Sequence, residues 1–159
     1  VRPQQNRLKK ALEQVKDRYD FCVIDNAPDI NISVINALTA ADDVLIPVEV
    51  DDNTLEGMNE LLDQIDEVKE ELNPDLKNVR CFVSKYQRLN EAHVQGAHVI
   101  QEQYPTMQTK IRVSAVVARS TFARIPIVQY SPRSAAAEDY EKLVAEYLDM
   151  IGGEENGEI

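Results

Sequence analysis

The sequence has few of the residues that cross-link small proteins or bind metals. Two cysteines, Cys22 and Cys81, and two histidines, His93 and His98, occur in 159 residues. Both cysteines lie in apolar runs without Cys-x-x-Cys or Cys/His spacing, and the histidine spacing is out of register for one helix face. These patterns argue against a disulfide framework or a metal site. They favour two buried, reduced thiols.

Long hydrophobic runs and a recognisable leader are also missing. No apolar run approaches the roughly 20 residues of a membrane-spanning helix. The chain begins at Val1 rather than Met, with no signal-peptide or transit-peptide pattern. We therefore expect a cytoplasmic protein with no membrane partner, and a sequence that is part of a longer protein. The length predicts a single domain over residues 1–151, followed by a disordered acidic tail over residues 152–159.

Charge is distributed unevenly along the chain. The net charge is −11, yet residues 80–133 carry eight basic and only two acidic side chains. The basic residues are Arg80, Lys85, Arg88, Lys110, Arg112, Arg119, Arg124 and Arg133. The overall acidity argues against a protein that binds nucleic acid over its whole surface. A local basic face could still contact phosphates, and scattered solvated charges explain the pattern equally well.

Apolar periodicity predicts alternating strands and helices. The predicted strands are residues 21–24, 44–48, 79–83 and, more weakly, 107–113. The predicted helices are residues 6–17, 30–40, 53–72 and 90–104, with a last helix that Ser134 caps. Strands that alternate with helices of this length are typical of βαβ units. The fold class is therefore α/β, with a mostly parallel sheet and helices on both of its faces.

Asp25 follows the most distinctive of these strands. Phe21, Cys22, Val23 and Ile24 form a continuous apolar run, which predicts a strand buried on both faces of a parallel sheet. Ligands of open α/β sheets bind at the carboxyl ends of the strands, so an acid at this position is well placed for chemistry. A loop acid that simply stays solvated is the other interpretation, and the position alone does not separate the two.

Four segments of the chain resemble motifs of one protein family. Residues 19–28 (YDFCVIDNAP) resemble its YDYIIIDTPP segment, and residues 40–48 (AADDVLIPV) resemble its AADxVLIPV strand. Residues 55–58 (LEGM) are similar to its LEGL helix start, and residues 127–140 to its PVxxYxPxSxxAxxY ending. In these motifs and in their order, which span nearly the whole chain, the sequence resembles the ParA/MinD/Soj family of deviant P-loop ATPases.

The resemblance implies a P-loop NTPase-like fold and an ATP- and Mg²⁺-dependent homodimer that partitions plasmids or chromosomes. It implies a ParB-like stimulating partner, non-specific DNA binding and association with the nucleoid. Asp25 then corresponds to the catalytic acid that holds Mg²⁺ through water, and Asn26, Pro28 and Asp29 to the switch that senses the γ-phosphate. The nucleotide-binding candidates are Ser84, Lys85 and Arg112. The DNA-binding candidates are Arg112, Arg119, Arg124 and Arg133.

The phosphate-binding loop of this family has no counterpart in the sequence. There are five glycines, and no Gly-Lys-Ser/Thr occurs. We therefore expect the fold to be incomplete, and the chain as given to bind no ATP tightly and to be inactive alone. Two other interpretations stay open. One is a protein-interaction module that uses the acidic helix 53–72, and the other is a phospho-receiver domain with Asp25 as the acceptor.

Overall fold

The computed structural model describes residues 4–26, 31–51 and 53–155. Two strands and a series of helices follow one another along this part of the chain. They are α1 (Arg7–Leu12), α2 (Ile32–Ala40), β1 (Asp43–Glu49), α3 (Thr54–Glu71), β2 (Asn78–Ser84), α4 (Glu91–Gln103), α5 (Ala115–Ala123), α6 (Ile127–Tyr130) and α7 (Ala135–Glu155). Short 3₁₀ turns occur at Gln4–Asn6 and Lys16–Arg18.

The two strands pair in parallel. At one end, Asn78 Nδ2 donates to Asp43 Oδ1 at 2.8 Å, and at the other Ser84 Oγ donates to the Val48 carbonyl at 3.3 Å. The residue numbers of these partners increase in the same direction along both strands, as they do in a parallel pair. The α/β prediction with a parallel sheet is thus confirmed, as are helices close to those predicted at residues 30–40, 53–72 and 90–104.

The segment after α4 follows the free edge of β2 without forming the predicted strand over residues 107–113. It makes isolated parallel bridges from Thr106 to Cys81 and from Arg112 to Tyr86. Between these bridges, the N–H groups of residues 108 and 109 donate to a side chain of α7 instead of to β2. These two N–H groups therefore take no part in a ladder with β2.

The predicted buried strand over residues 21–24 is wrong. Phe21 is 58% exposed and Val23 92% exposed, and the segment has no strand structure. An apolar run shows a preference for burial, but a strand inside a sheet needs hydrogen-bonded neighbours on its edges. Across the described residues the sheet consists of β1 and β2, and neither pairs with this segment. Cys22 is consequently exposed, against expectation, whereas Cys81 is buried as predicted.

β1 is buried on one face only. Ile46 and Val48 are buried, while Leu45 and Pro47 are exposed. This alternation is typical of a strand with one solvated face. The strand continues through Pro47, and β2 is the strand that pairs with it in the described part of the chain. A proline is tolerated in such an edge strand because its missing N–H is not needed there.

The chain divides into two compact units. The first consists of Val1–Val44 and Glu56–Val79. Within it, Asn31 caps α2 by accepting hydrogen bonds from Ser33 N and Val34 N. Asn73, which is 1% exposed, donates its Nδ2 to the carbonyls of Leu38 and Ala41 at 2.8 and 2.7 Å, and so ties the chain after α3 to the end of α2. α1 ends at Leu12 rather than residue 17, and buries no residue that would sustain it.

The second unit consists of Leu45–Leu55 and Arg80–Ile159. Its apolar interior includes Val83, Ile100, Met107, Ile111 and Leu143. Ser134 accepts a hydrogen bond from Ala137 N, as expected for the cap of the last helix. α7 continues to Glu155, so the start of the predicted disordered tail is helical. The boundaries of the single domain predicted over residues 1–151 stay a prediction.

Candidate functional site

The carboxyl ends of β1 and β2 bring several polar side chains together in the second unit. Lys85, directly after β2, forms an ion pair with Glu49 at the end of β1. The backbone of Lys85 is left-handed, with φ of 49°. Non-glycine residues adopt this conformation at a cost, and such strain is found preferentially at functional positions. Ser84 is held by its hydrogen bond to the Val48 carbonyl.

We call the edge formed by Ser84 and Lys85 at the carboxyl ends of the strands the rim. Tyr86 connects the rim to the segment that follows α4. Its N–H donates to the Ile111 carbonyl at 2.9 Å, and its carbonyl accepts from Val113 N at 3.0 Å. The ammonium group of Lys110 lies 5.9 Å from the centroid of the Tyr86 ring, within the range of a cation–π contact. Ser84, Lys85 and the backbone around Ile111 are therefore parts of one continuous edge of the sheet.

Arg112 is bound to α7 through Asp139. Its Nε and Nη2 donate to the two carboxylate oxygens of Asp139, both at 2.6 Å, and its backbone N–H donates to the same carboxylate at 3.1 Å. Asp139 is 5% exposed. Burial raises the pKa of Asp139, but the hydrogen bonds and positive charge of Arg112 outweigh burial and hold it below the usual value. Two nitrogens of the guanidinium are thus already occupied.

A second carboxylate of α7 holds the same segment. Glu146 accepts from the backbone N–H groups of Gln108 and Thr109 at 2.6 and 2.9 Å. Burial raises the pKa of Glu146, but these hydrogen bonds outweigh burial and hold the pKa below its usual value. Asp139 and Glu146 lie two turns apart on α7. We call this pair of carboxylates the α7 clasp, because together they fix residues 108–112 beside β2.

Sequence reasoning missed the α7 clasp. Asp139 follows the buried residues Ala136 and Ala137 and precedes Leu143 on the packed side of α7. An acid among the apolar positions of an amphipathic helix is unusual, because a buried carboxylate needs a partner. The sequence therefore indicated that Asp139 has a partner, but it did not indicate which residue the partner is.

Asp25 lies in the first unit and is exposed, as is Asn26, whose Nδ2 donates to the Ile24 carbonyl at 3.2 Å. Pro28 and Asp29 lie outside the described residues. A single solvated carboxylate fits a hydrated Mg²⁺ held through water, since Mg²⁺ keeps several waters and draws its other ligands from nucleotide phosphates. In the described part of the chain no three His, Cys, Asp or Glu side chains group as a metal cage would.

The remaining basic candidates are solvated. Arg119 lies on α5, Arg124 ends that helix in a left-handed conformation with φ of 55°, and Arg133 precedes α7. All three are exposed. Arg112 differs from them because Asp139 binds it. No helix in the described ranges is both long enough and apolar enough to span a membrane.

Comparison with known proteins decides the family. A family model described as an AAA domain matches residues 1–78. The chain is 35% identical to the sporulation initiation inhibitor protein Soj of Bacillus subtilis, over 88% of this chain and 56% of Soj. It is 34% identical to the chromosome partitioning protein ParA of Myxococcus xanthus, over 89% of this chain and 51% of ParA. The chain belongs to the ParA/Soj/MinD family.

Solved structures give the same fold. Cobyrinic acid a,c-diamide synthase from Mycobacterium smegmatis, with bound ADP and magnesium, superposes with a TM-score of 0.77 at 20% identity, covering 94% of this chain and 55% of the synthase. The cell division ATPase MinD from Pyrococcus furiosus superposes with a TM-score of 0.75 at 18% identity, covering 92% and 59%. This ParA/Soj/MinD chain spans about half the length of the curated relatives it matches.

Proposed function

We propose that this chain is part of a ParA-type ATPase that partitions plasmids or chromosomes. The observation that carries the proposal is the rim of the second unit, where Ser84, Lys85 and the backbone around Ile111 share one sheet edge at the carboxyl ends of the strands. Ligands of α/β sheets bind at such edges. The relatives Soj and ParA supply the class of activity.

In this proposal the rim binds the nucleotide. Ser84 and Lys85 contact it directly, while Arg112 positions the neighbouring backbone through the α7 clasp. Asp25 holds a hydrated Mg²⁺, and the Asn26, Pro28 and Asp29 turn responds to the γ-phosphate. The ion supplies charge neutralisation for phosphoryl transfer when it is bound. The family assignment favours this role of Asp25 over that of a phospho-acceptor.

The working form in this proposal is a nucleotide-dependent homodimer on non-specific DNA, stimulated by a ParB-like protein. Arg119, Arg124 and Arg133 are the proposed DNA contacts. Their exposure supports this role, because solvent-exposed guanidinium groups are available for phosphates. Arg112 is the weaker candidate, since Asp139 already binds two of its nitrogens.

Steady-state ATP hydrolysis by the full-length gene product tests the proposal. We expect Asp25→Ala to lower the turnover at least about 100-fold, because a charge that organises the transition state is lost. Asp20→Ala is the matched control, since it removes an exposed carboxylate from the same segment. Wild-type turnover in the Asp25→Ala protein would remove Asp25 from the mechanism. No turnover in the wild type, with or without DNA, would refute the ATPase assignment.

The second candidate is an interaction module built on α3. This helix exposes acidic side chains along its length, at Glu56, Glu60, Asp63, Asp66, Glu67, Glu70 and Glu71. Such a module would bind its partner equally well with and without ATP. A nucleotide-dependent change in DNA or partner binding therefore separates the two candidates in favour of the ATPase.

A further inference from the structure

Phe122 is one of the most exposed large apolar side chains of the described residues. It lies in the last turn of α5 and is 92% exposed. Arg119 is three residues earlier, so the two side chains are neighbours on the helix surface. Leu89 is exposed to the same extent, so exposure alone assigns no role to Phe122. What distinguishes Phe122 is the charge around it.

No acidic residue occurs from residue 103 to residue 137, although the chain carries 28 acids in all. The basic residues of this stretch are Lys110, Arg112, Arg119, Arg124 and Arg133. Arg112 is bound to Asp139, and Lys110 lies over Tyr86. The exposed arginines before and after Phe122 therefore have no carboxylate neighbour in sequence. Their charge contrasts with the net −11 of the whole chain.

The turn after Phe122 places a further basic side chain at a position that favours glycine. Arg124 N donates to the Thr121 carbonyl at 3.0 Å, and Ile125 N donates to the Ser120 carbonyl at 3.1 Å. This is the Schellman pattern of a helix end, with Arg124 in the left-handed position. An arginine there costs conformational free energy that glycine would avoid. Positions that keep such strain are often functional.

We propose that α5 and its C-terminal turn bind duplex DNA, with Phe122 as a non-ionic contact to the bases between the phosphate contacts of Arg119 and Arg124. The inference rests on the proposed function and adds to it a binding mode that does not depend on charge. Apolar side chains that enter the minor groove partly unstack a base step, and flanking arginines contact the adjacent backbone.

Duplex DNA fits this surface better than an acidic protein segment does. Interfaces with DNA carry far more positive charge than interfaces between proteins, and Phe122 lies in a stretch with arginines but no acid. A duplex also presents a base step and its phosphates together, which matches an aromatic side chain with a guanidinium group on either side in sequence. The acidity of the rest of the chain would repel DNA and so confine contact to this surface.

The test measures the affinity of the full-length gene product for a short duplex of arbitrary sequence, with ATP and Mg²⁺, over a series of salt concentrations. We expect Phe122→Ala to weaken binding about tenfold while the slope of log K against log salt stays unchanged. Arg119→Gln and Arg124→Gln should each make the slope about one unit shallower. Phe122→Trp should retain binding, and Leu89→Ala, equally exposed, should resemble the wild type.

A second readout reports insertion directly. Closed circular DNA relaxed by a topoisomerase in the presence of the wild-type protein should keep a change in linking number, and Phe122→Ala should abolish it. Equal affinity of wild type and Phe122→Ala overturns the inference and leaves DNA binding by the arginines standing. If Phe122→Ala instead weakens binding to a Glu-rich peptide and not to the duplex, the surface belongs to a protein partner. A wild type that hydrolyses ATP but binds no duplex overturns the inference without touching the ATPase proposal.

Discussion

Replacing Asp139 by alanine tests whether the α7 clasp holds residues 108–112 in place. The substitution removes the acceptor of three hydrogen bonds from Arg112. Loss of one partner from a buried ion pair costs about 3–5 kcal/mol, whereas exposed pairs contribute about 0–1 kcal/mol. The side chain of Asp139 is 7% exposed, but that of Arg112 is 43% exposed and can be solvated once released. We therefore expect a loss of about 2–3 kcal/mol in the free energy of unfolding.

The pH dependence of this loss gives an independent check. The pKa of Asp139 is lowered in the folded protein, so the unfolded chain binds the proton more readily. The stabilisation is fully present above the unfolded-state pKa of about 4, and is lost as the pH falls through the lower folded-state pKa. The difference between wild type and Asp139→Ala should therefore be largest near neutral pH and shrink in acid.

Urea unfolding at neutral and acidic pH measures both effects. Glu138→Ala is the matched control, since it removes a neighbouring carboxylate whose ion pair with Lys142 is exposed on both sides. A double-mutant cycle with Arg112→Ala should give a coupling free energy of about 1–2 kcal/mol. If Asp139→Ala unfolds at the same urea concentration as Glu138→Ala, or if its deficit is independent of pH, the clasp does not stabilise the fold as argued.

Two further predictions concern packing and thiol chemistry. A Cβ on Gly96 would overlap Val50 Cγ1, so Gly96→Ala should lower the free energy of unfolding by about 1–3 kcal/mol. Nothing lies within 4 Å of a Cβ on Gly57, so Gly57→Ala should raise the free energy of unfolding by about 0.5–1 kcal/mol. Equal urea midpoints for the two variants would refute this packing. Burial raises the pKa of the Cys81 thiol to about 11, whereas Cys22 is exposed. A chromogenic disulfide reagent at neutral pH should therefore modify Cys22 quickly and Cys81 only upon unfolding, and rapid reaction of Cys81 in the folded protein would contradict its burial.

The elements that sequence predicted well are those specified by neighbouring residues. Asn90 caps α4 by accepting from Ala92 N, and Ser134 caps α7. α3 buries Met58 and Ile65 from its apolar stripe. Caps and helical periodicity act over a few residues, so they are visible in a single sequence. The family was recognisable for a related reason, because its motifs are contiguous segments.

Predictions that depended on distant partners were less reliable. The apolar run at Phe21–Ile24 indicated a buried strand, but the structure leaves Phe21 and Val23 exposed. Met107–Val113 indicated a strand, but the structure has isolated bridges at Thr106 and Arg112, and Glu146 accepts from the N–H groups of Gln108 and Thr109 between them. The outcome was decided by which acceptors and apolar surfaces the rest of the fold supplied.

By itself, then, the sequence determined the two strands β1 and β2, the helices α2, α3, α4 and α7, the parallel α/β class and the family, because these follow from short-range periodicity, caps and motifs. Only the tertiary structure decided that Arg112 is bound to Asp139, 27 residues away, and that Phe122 stands in solvent between solvated arginines. The physical reason is that charge pairing and burial depend on neighbours in three dimensions. The type of a residue sets only the free-energy cost of leaving its charge unpaired or its polar groups buried without a partner.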